Sequence, residues 1–337
     1  MAKKGNQKLK IIYILDILKQ YSDEEHPINA GFIAEKLLDY GIEAERKSIY
    51  SDIAYLEDYG CDIIKTADKK GGWFIGDRDF EVPEIFLLCD AVRSAKFISV
   101  KKTREILAKL HKMLSISQVK SRENAVYFSV DGKCANEELY YNIDSINKAI
   151  ATKKKIKLIY SVREFDNDRE ILQKEKEMTV NPYALSWQDD HYYLVGNHVK
   201  YDNLLHLRVD RISKVEVLSE DARHFSEVSQ YTEFFDIADY TNKLFMMHGG
   251  ELCDIELRCS KKITERVLDR FSEKIFIKNV TEDEFEFTVK AAISEALVTW
   301  IINYGENLTV KKPEILKKMV KERAQKVLSN YSEDENL

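Results

Sequence analysis

No stretch of this chain reaches the ~18 consecutive apolar residues that a membrane-spanning helix needs, although 44% of its 337 residues are apolar. The opening "MAKKGNQKLK" is basic but runs straight into an amphipathic pattern, without the apolar block and small-residue cleavage site of a secretory signal. The five cysteines (Cys61, Cys89, Cys134, Cys253, Cys259) are odd in number and include no C-x-x-C pair. They read as reduced thiols in a cytoplasm rather than a disulfide framework. There is no excess of positive charge either. The net charge is −6, so contact with nucleic acid has to come from a local patch rather than the overall field. Catalytic signatures are missing: no G-x-x-x-x-G-K-[ST], H-E-x-x-H or G-x-S-x-G occurs. His191, His198 and His206 are close in sequence but follow no metal spacing and lack nearby cysteines. The expectation is a non-enzyme with no cofactor or metal.

What is present is length and pattern. A chain of this size exceeds one ordinary core, and two or three domains are expected. "LKIIYILDILKQY" has helical apolar spacing; "INAGFIAEKLLDYG" is a second helix with Asn29 as N-cap and Gly41 as its stop; "EAERKSIYSDIAYLEDYG" is a third that Gly60 ends. "CDIIKT" and "WFIGD" then flank a Gly-Gly turn and read as a hairpin. Three helices and a hairpin over residues 1–80 make the pattern of a winged helix-turn-helix. On the third helix Ile49, Ile53 and Leu56 share the core face. Arg46, Lys47, Ser48, Tyr50 and Ser51 are the candidate DNA contacts, with Lys69 and Lys70 on the wing. Residues 1–80 hold 12 Lys+Arg against 15 Asp+Glu, so this domain is not basic as a whole. A small helical packing domain is the competing reading.

Residues 81–135 read as a helical connector of two helices, with stripes Ile85/Leu88/Val92/Ala95 and Ile106/Leu107/Leu110/Leu114. Asp131-Gly132 is a turn signal. Residues 136–222 read as one helix, carrying Ile143, Ile146 and Ile150 on one side, followed by four or five short strands with turns at Asp189-Asp190, Gly196-Asn197 and Asp202-Asn203. That composition suggests a small, strongly bent sheet or SH3-like barrel. Alternation puts Tyr192 and Leu194 on one side of "HYYLVG", and His191, Tyr193 and Val195 on the other. In "LLHLRVDRI" it sets a His206/Arg208/Asp210 row against the leucines. Tyr193 reads as packing. Residues 223–245 read as a linker, with a helix in this stretch that ends at Gly249-Gly250. Residues 246–331 read as strand, helix, hairpin and a long final helix, α+β and ferredoxin-like in outline.

"ERKSIYSDIAYLEDYGCDIIKTADKKGGWFI" resembles the winged-helix segment of bacterial transcriptional regulators that carry a WYL domain, with Ser51 where that family often has arginine. "NPYALSWQDDHYYLVGNHVKYDNLLHLRVDRI" resembles the WYL domain itself, with Tyr192-Tyr193-Leu194 at the W-Y-L position. The last eighty residues resemble the C-terminal extension of the same regulators. The resemblance implies an α+β protein: winged helix-turn-helix, helical connector, Sm/SH3-like β-barrel WYL domain and ferredoxin-like, dimerising extension. It implies Arg208 and Arg211 as anion contacts, with Tyr183, Ser186, Tyr192 and His206 as neighbours. Arginine beside aromatics suits a nucleotide or short single strand; an internal salt bridge to Asp210 or another carboxylate is the alternative for either arginine. The expected function is a cytoplasmic, nucleoid-associated homodimer that binds a pseudo-palindromic double-stranded operator and responds to such a ligand, with no membrane partner. An accessory single-stranded nucleic-acid binder with no operator is the competing function. Comparable affinity for arbitrary single strands, without a specific duplex, would favour it.

Overall fold

The computed structural model describes residues 7–67, 71–122, 133–165, 171–272 and 275–332. The chain divides into two compact units, residues 1–137 and 138–337. No helix among the described residues is long and apolar enough to cross a membrane.

The first unit begins with α1 (Lys10–Tyr21), α2 (Ala30–Leu38) and α3 (Arg46–Tyr59). The expected punctuation is in place. The Asn29 side chain accepts from the Phe32 amide at 3.0 Å, and Gly60 adopts φ 103° to end α3. Ile49, Ile53 and Leu56 are buried with Ile14, Leu18 and Ile33. An antiparallel hairpin of β1 (Ile63–Lys65) and β2 (Trp73–Ile75) closes this core through Trp73. Lys69 and Lys70 lie outside the described residues, as do Asp131 and Gly132.

The connector has three helices where the sequence suggests two: α4 (Val82–Ser94), α5 (Val100–His111) and α6 (Ile116–Arg122). The break before α6 has a local cause. Ser115 and Gln118 form a reciprocal cap, each side chain accepting from the other's amide at 3.0 and 2.9 Å. The α4 stripe is also rotated, with Phe86 and Cys89 buried beside Ile85 while Leu88 is exposed. A polar latch ties connector to head. The Arg78 guanidinium donates to the carbonyls of Lys19, Ser22 and Met113 at 2.9, 2.8 and 3.1 Å. The buried Asp23 carboxylate accepts from the Ser115 hydroxyl and from His26 Nδ1. Burial pushes the Asp23 pKa up, but the hydrogen bonds from Ser115 and His26 outweigh it and hold it below the usual value.

In the second unit, α7 (Leu139–Ala151) packs on a five-stranded antiparallel sheet. The strands are β3 (Lys154–Phe165), β4 (Ile171–Gln188), β5 (His191–His198), β6 (Leu204–Arg208) and β7 (Ile212–Asp221), in the order β6-β5-β4-β3-β7. The α7 face that is buried runs Leu139, Asn142, Ile146 and Ala149, one step round from the expected isoleucine stripe. Of the two expected forms, bent sheet or Sm/SH3-like barrel, the sheet among the described residues is open and not a closed barrel, because no ladder joins β6 to β7. It is nonetheless strongly curled. A single 3₁₀ turn, Val209–Arg211, carries the chain from one edge strand to the other and touches both β5 and β3. Five flat strands at ~4.8 Å spacing would need ~19 Å there, more than the few ångströms of rise in a 3₁₀ turn. β3 and β4 also run on past the sheet: β4 pairs with β5 only from Val180, and β3 with β7 only as far as Tyr160. The two-stranded arm beyond ends with Phe165 opposite Ile171, both exposed.

The expected linker after β7 is partly ordered. It holds a 3₁₀ turn (Phe225–Glu227) and α8 (Ile237–Asn242), and it folds back on the sheet. The chain continues with β8 (Glu251–Ser260), α9 (Thr264–Phe271), β9 (Phe276–Val280), β10 (Glu284–Ile293), α10 (Glu295–Ile302), β11 (Leu308–Lys312) and α11 (Glu314–Ser332). The sheet order is β11-β8-β10-β9. The long final helix expected from the sequence is therefore two helices separated by a strand. Gly305 turns the chain at φ 53°, and Leu308, Thr309 and Val310 then pair with β8. Strand residues with a buried partner override the helical pattern around them.

Candidate functional site

Two surfaces carry the residues singled out by the sequence. On α3, Arg46, Lys47, Tyr50 and Ser51 are all exposed. Ser48 is not brought out with them. Its hydroxyl receives a hydrogen bond from Lys10, whose amine also pairs with Asp52 at 2.8 Å. Tyr50 is held rather than free: its ring meets Trp73 of the hairpin edge-on, centroids 4.9 Å apart. Helix and hairpin thus share an aromatic contact beside the exposed cations.

The second surface is one face of β4, β5 and β6. Register decides its membership. Ser186 lies opposite Tyr193, and Tyr193 opposite Arg208; the next rung is Ala184, Val195 and His206. Tyr192 pairs with Trp187, two residues along from the Leu194–Leu207 rung, and so shares the face of that rung. Tyr193, read from the sequence as packing, does pack against the Val195/Tyr240/Leu244 cluster, and the register also sets it opposite Arg208. Pairing the two leucine positions across the strands would have found it.

Arg208 forks onto Asp210, with Nε to Oδ1 at 3.1 Å and Nη2 to Oδ2 at 2.7 Å. This hydrogen bonding raises its pKa. The internal ion pair considered for either arginine is made by Arg208. Arg211, at the end of the 3₁₀ turn, is exposed. Two of the five Arg208 N–H groups are engaged with Asp210, which leaves others to meet an anion.

Tyr183 and His206 are drawn under a cover. The β4–β5 register slips between Pro182 and Ala184, so Tyr183 is the extra residue of a bulge. Its ring packs against Phe225 and Phe235, and burial pushes its pKa up to about 12. The Tyr183 hydroxyl is buried with no hydrogen-bond partner among the described residues. His206 sits beneath α8 with Nε2 2.9 Å from the Tyr240 hydroxyl. Burial, aided by nearby His248, pushes its pKa down to about 4. No sequence signal pointed to Tyr240, because its place here depends on the segment after β7 folding back.

The His206 environment sets a pH dependence. A histidine whose folded pKa is depressed contributes stability that is complete above its ordinary value of 6.5 and is lost as pH falls toward 4. The second unit is expected to lose roughly 3 kcal/mol over that interval. His206→Gln should flatten the decline in urea titrations of the full chain; an unchanged slope would refute the assignment. The arginines should separate in the same assay. Arg208→Ala removes the fork onto Asp210 and is expected to cost about 1–2 kcal/mol, whereas exposed Arg211→Ala should stay within about 0.5 kcal/mol.

Residues 141–217 match the WYL domain. Residues 251–328 match the WCX domain. The WYL segment therefore includes the arginine row, and the two matched segments flank the cover that carries α8. No curated protein matches the chain. Among solved structures it is similar to proteasome accessory factor B/C (PafBC) of Arthrobacter aurescens, at 16% identity and TM-score 0.28, over 94% of this chain and 46% of that one. It is also similar to a CRISPR Cas-related protein, at 13% identity and TM-score 0.36, over 96% of this chain and 85% of that one. This chain spans less than half the length of the first. Neither likeness is close enough to carry a residue's role across.

Proposed function

We propose that the chain is a ligand-responsive, DNA-binding transcriptional regulator without catalytic activity. The observation that carries this is a conjunction in one chain: a WYL segment with an Arg208/Arg211 row, and a three-helix head whose third helix exposes Arg46, Lys47, Tyr50 and Ser51. In this reading the head is a winged helix-turn-helix, and α3 enters the major groove with its N-terminal residues foremost. Neutralisation of Asp52 by Lys10 supports it, since that carboxylate would otherwise repel phosphate. The order β11-β8-β10-β9 is what a ferredoxin-like extension would have, and it serves here as the dimerising part. Two heads then read a pseudo-palindromic operator in the cytoplasm.

The effector of this proposal is a nucleotide or a short single-stranded nucleic acid. Arg211 and the remaining N–H groups of Arg208 take its phosphate, and Tyr193 and Ser186 supply the adjacent ring and hydroxyl. The effector acts only in so far as it binds one arrangement of the protein better than another.

Footprinting on the protein's own promoter region, followed by salt titration, tests the head. Lys47→Ala combined with Tyr50→Ala is expected to weaken operator binding by about 10- to 100-fold and lower the salt slope by about 1. Wild-type operator affinity in that variant would sink the α3 assignment.

A further inference from the structure

The second unit holds a cleft of about 700 Å³ that the proposed function does not use. Small-molecule sites span about 300–1,000 Å³. Asn203 and Leu204 form one wall, at the start of β6. The segment Val228–Tyr231 forms another, and α8 with the Gly249-Gly250 pair completes it. Most of the lining falls between residues 217 and 251, outside both matched segments.

The cleft is separate from the arginine row. Leu204, His206 and Arg208 alternate along the same face of β6. His206 lies between the other two and is sealed by Tyr240, so a ligand cannot run from one to the other along the strand.

Its chemistry is neutral. The Asp202 carboxylate is taken by Arg223 at 2.7 Å. The Tyr231 hydroxyl donates to Asp239 at 2.6 Å, and that of Tyr240 is engaged with His206. Both tyrosines therefore offer rings rather than hydroxyls. Their rings meet at 85°, with Leu204, Leu244 and Leu252 beside them. The neutral amides are Asn203, which donates one N–H to the Leu204 carbonyl at 3.1 Å, and Gln230, which hydrogen-bonds Tyr231; each keeps a carbonyl oxygen and a second N–H to read a ligand edge.

The rim is also set in advance. Asn197, fully buried, donates to the carbonyls of Tyr201 and Asn203 at 2.7 and 2.9 Å. Arg223 clasps Asp202 and Glu227 together. A rim already fixed loses little entropy when a ligand arrives.

We propose that this cleft binds a neutral, flat nitrogen heterocycle, its faces against the tyrosine rings and leucines and its edge on the Asn203 and Gln230 amides. The test is calorimetry and saturation-transfer NMR of the full chain with adenine, which is uncharged at neutral pH. Adenine should bind at one site. Asn203→Ala and Gln230→Ala should each weaken it about tenfold, the worth of one hydrogen bond. Leu252→Trp, which fills the cleft, should abolish binding, and Arg211→Ala should leave it unchanged. Circular dichroism checks each fold, and the two amide variants decide the matter if Leu252→Trp does not fold. Failure of the wild-type chain to bind adenine overturns the proposal. So does binding that Arg211→Ala removes while both amide variants retain it. Neither result bears on operator binding by α3.

Discussion

Arg78→Ala is expected to release α4–α6 from the first three helices at a cost of about 3 kcal/mol. One guanidinium holds three carbonyls from two parts of the first unit: Lys19 and Ser22 at the end of α1, and Met113 before α6. Alanine leaves all three without that donor. Hydrogen bonds from a charged group contribute about 1.5–3 kcal/mol each, but three on one side chain are not additive. Arg78→Lys should recover only part of the loss, because an ammonium lacks the planar fork. Hydrogen exchange on the full chain is the direct measurement. Protection of α6 and of the α1 C-terminus should fall together in Arg78→Ala, and more than in Leu88→Ala, an exposed α4 site. Unchanged protection in α6 would show that the latch holds nothing. If the loss is seen, connector and head move as one body over the described part of residues 7–122.

The second large effect is expected at Asn197. Asn197→Leu keeps the γ-branched shape, with somewhat greater bulk, but removes both donors to the 201–203 loop and the acceptor for the Asn181 amide, which lies 2.9 Å away. Asn181 in turn accepts from the Arg223 amide at 3.0 Å, so the loss propagates along a buried chain. About 4 kcal/mol is expected, from several buried polar groups orphaned at once. Urea unfolding of the full chain reads it. Asn203→Ala, whose backbone carbonyl survives the change, is the control and should cost under about 1 kcal/mol. Equal destabilisation by the two would mean that the ladder contributes little.

Asn197 also marks where sequence reasoning stops. Gly196-Asn197 has the composition of a turn, yet β5 runs through both residues. Gly196 is needed because the β4 backbone passes so close: a Cβ there would lie 2.6 Å from the Asn181 carbonyl oxygen. Proximity of that kind is a tertiary fact with no local trace. The same holds for Tyr240 over His206. By contrast Asn29, Gly60 and the Ile49/Ile53/Leu56 face act within one or two turns of helix, and they read correctly from spacing alone. Two misses were legible in principle. The Ser115–Gln118 cap is written in four consecutive residues. The strand Leu308–Lys312 is bracketed by Gly305 and Pro313 inside an apparently continuous helix. Alternation within one strand does not say which residue meets the neighbouring strand's arginine; the β5–β6 register does, and it sets Tyr193 opposite Arg208.

The arm of β3 and β4 has a mechanical consequence. From Val180, where β5 lets go, to Ile171 is nine residues of ladder, about 30 Å at strand rise. A tilt of ~5° at its root sweeps the tip by ~3 Å over such a length. A spectroscopic probe placed at exposed Ile171 would therefore act as a pointer, enlarging sub-ångström shifts in the strand that carries Ser186 into displacements that can be measured.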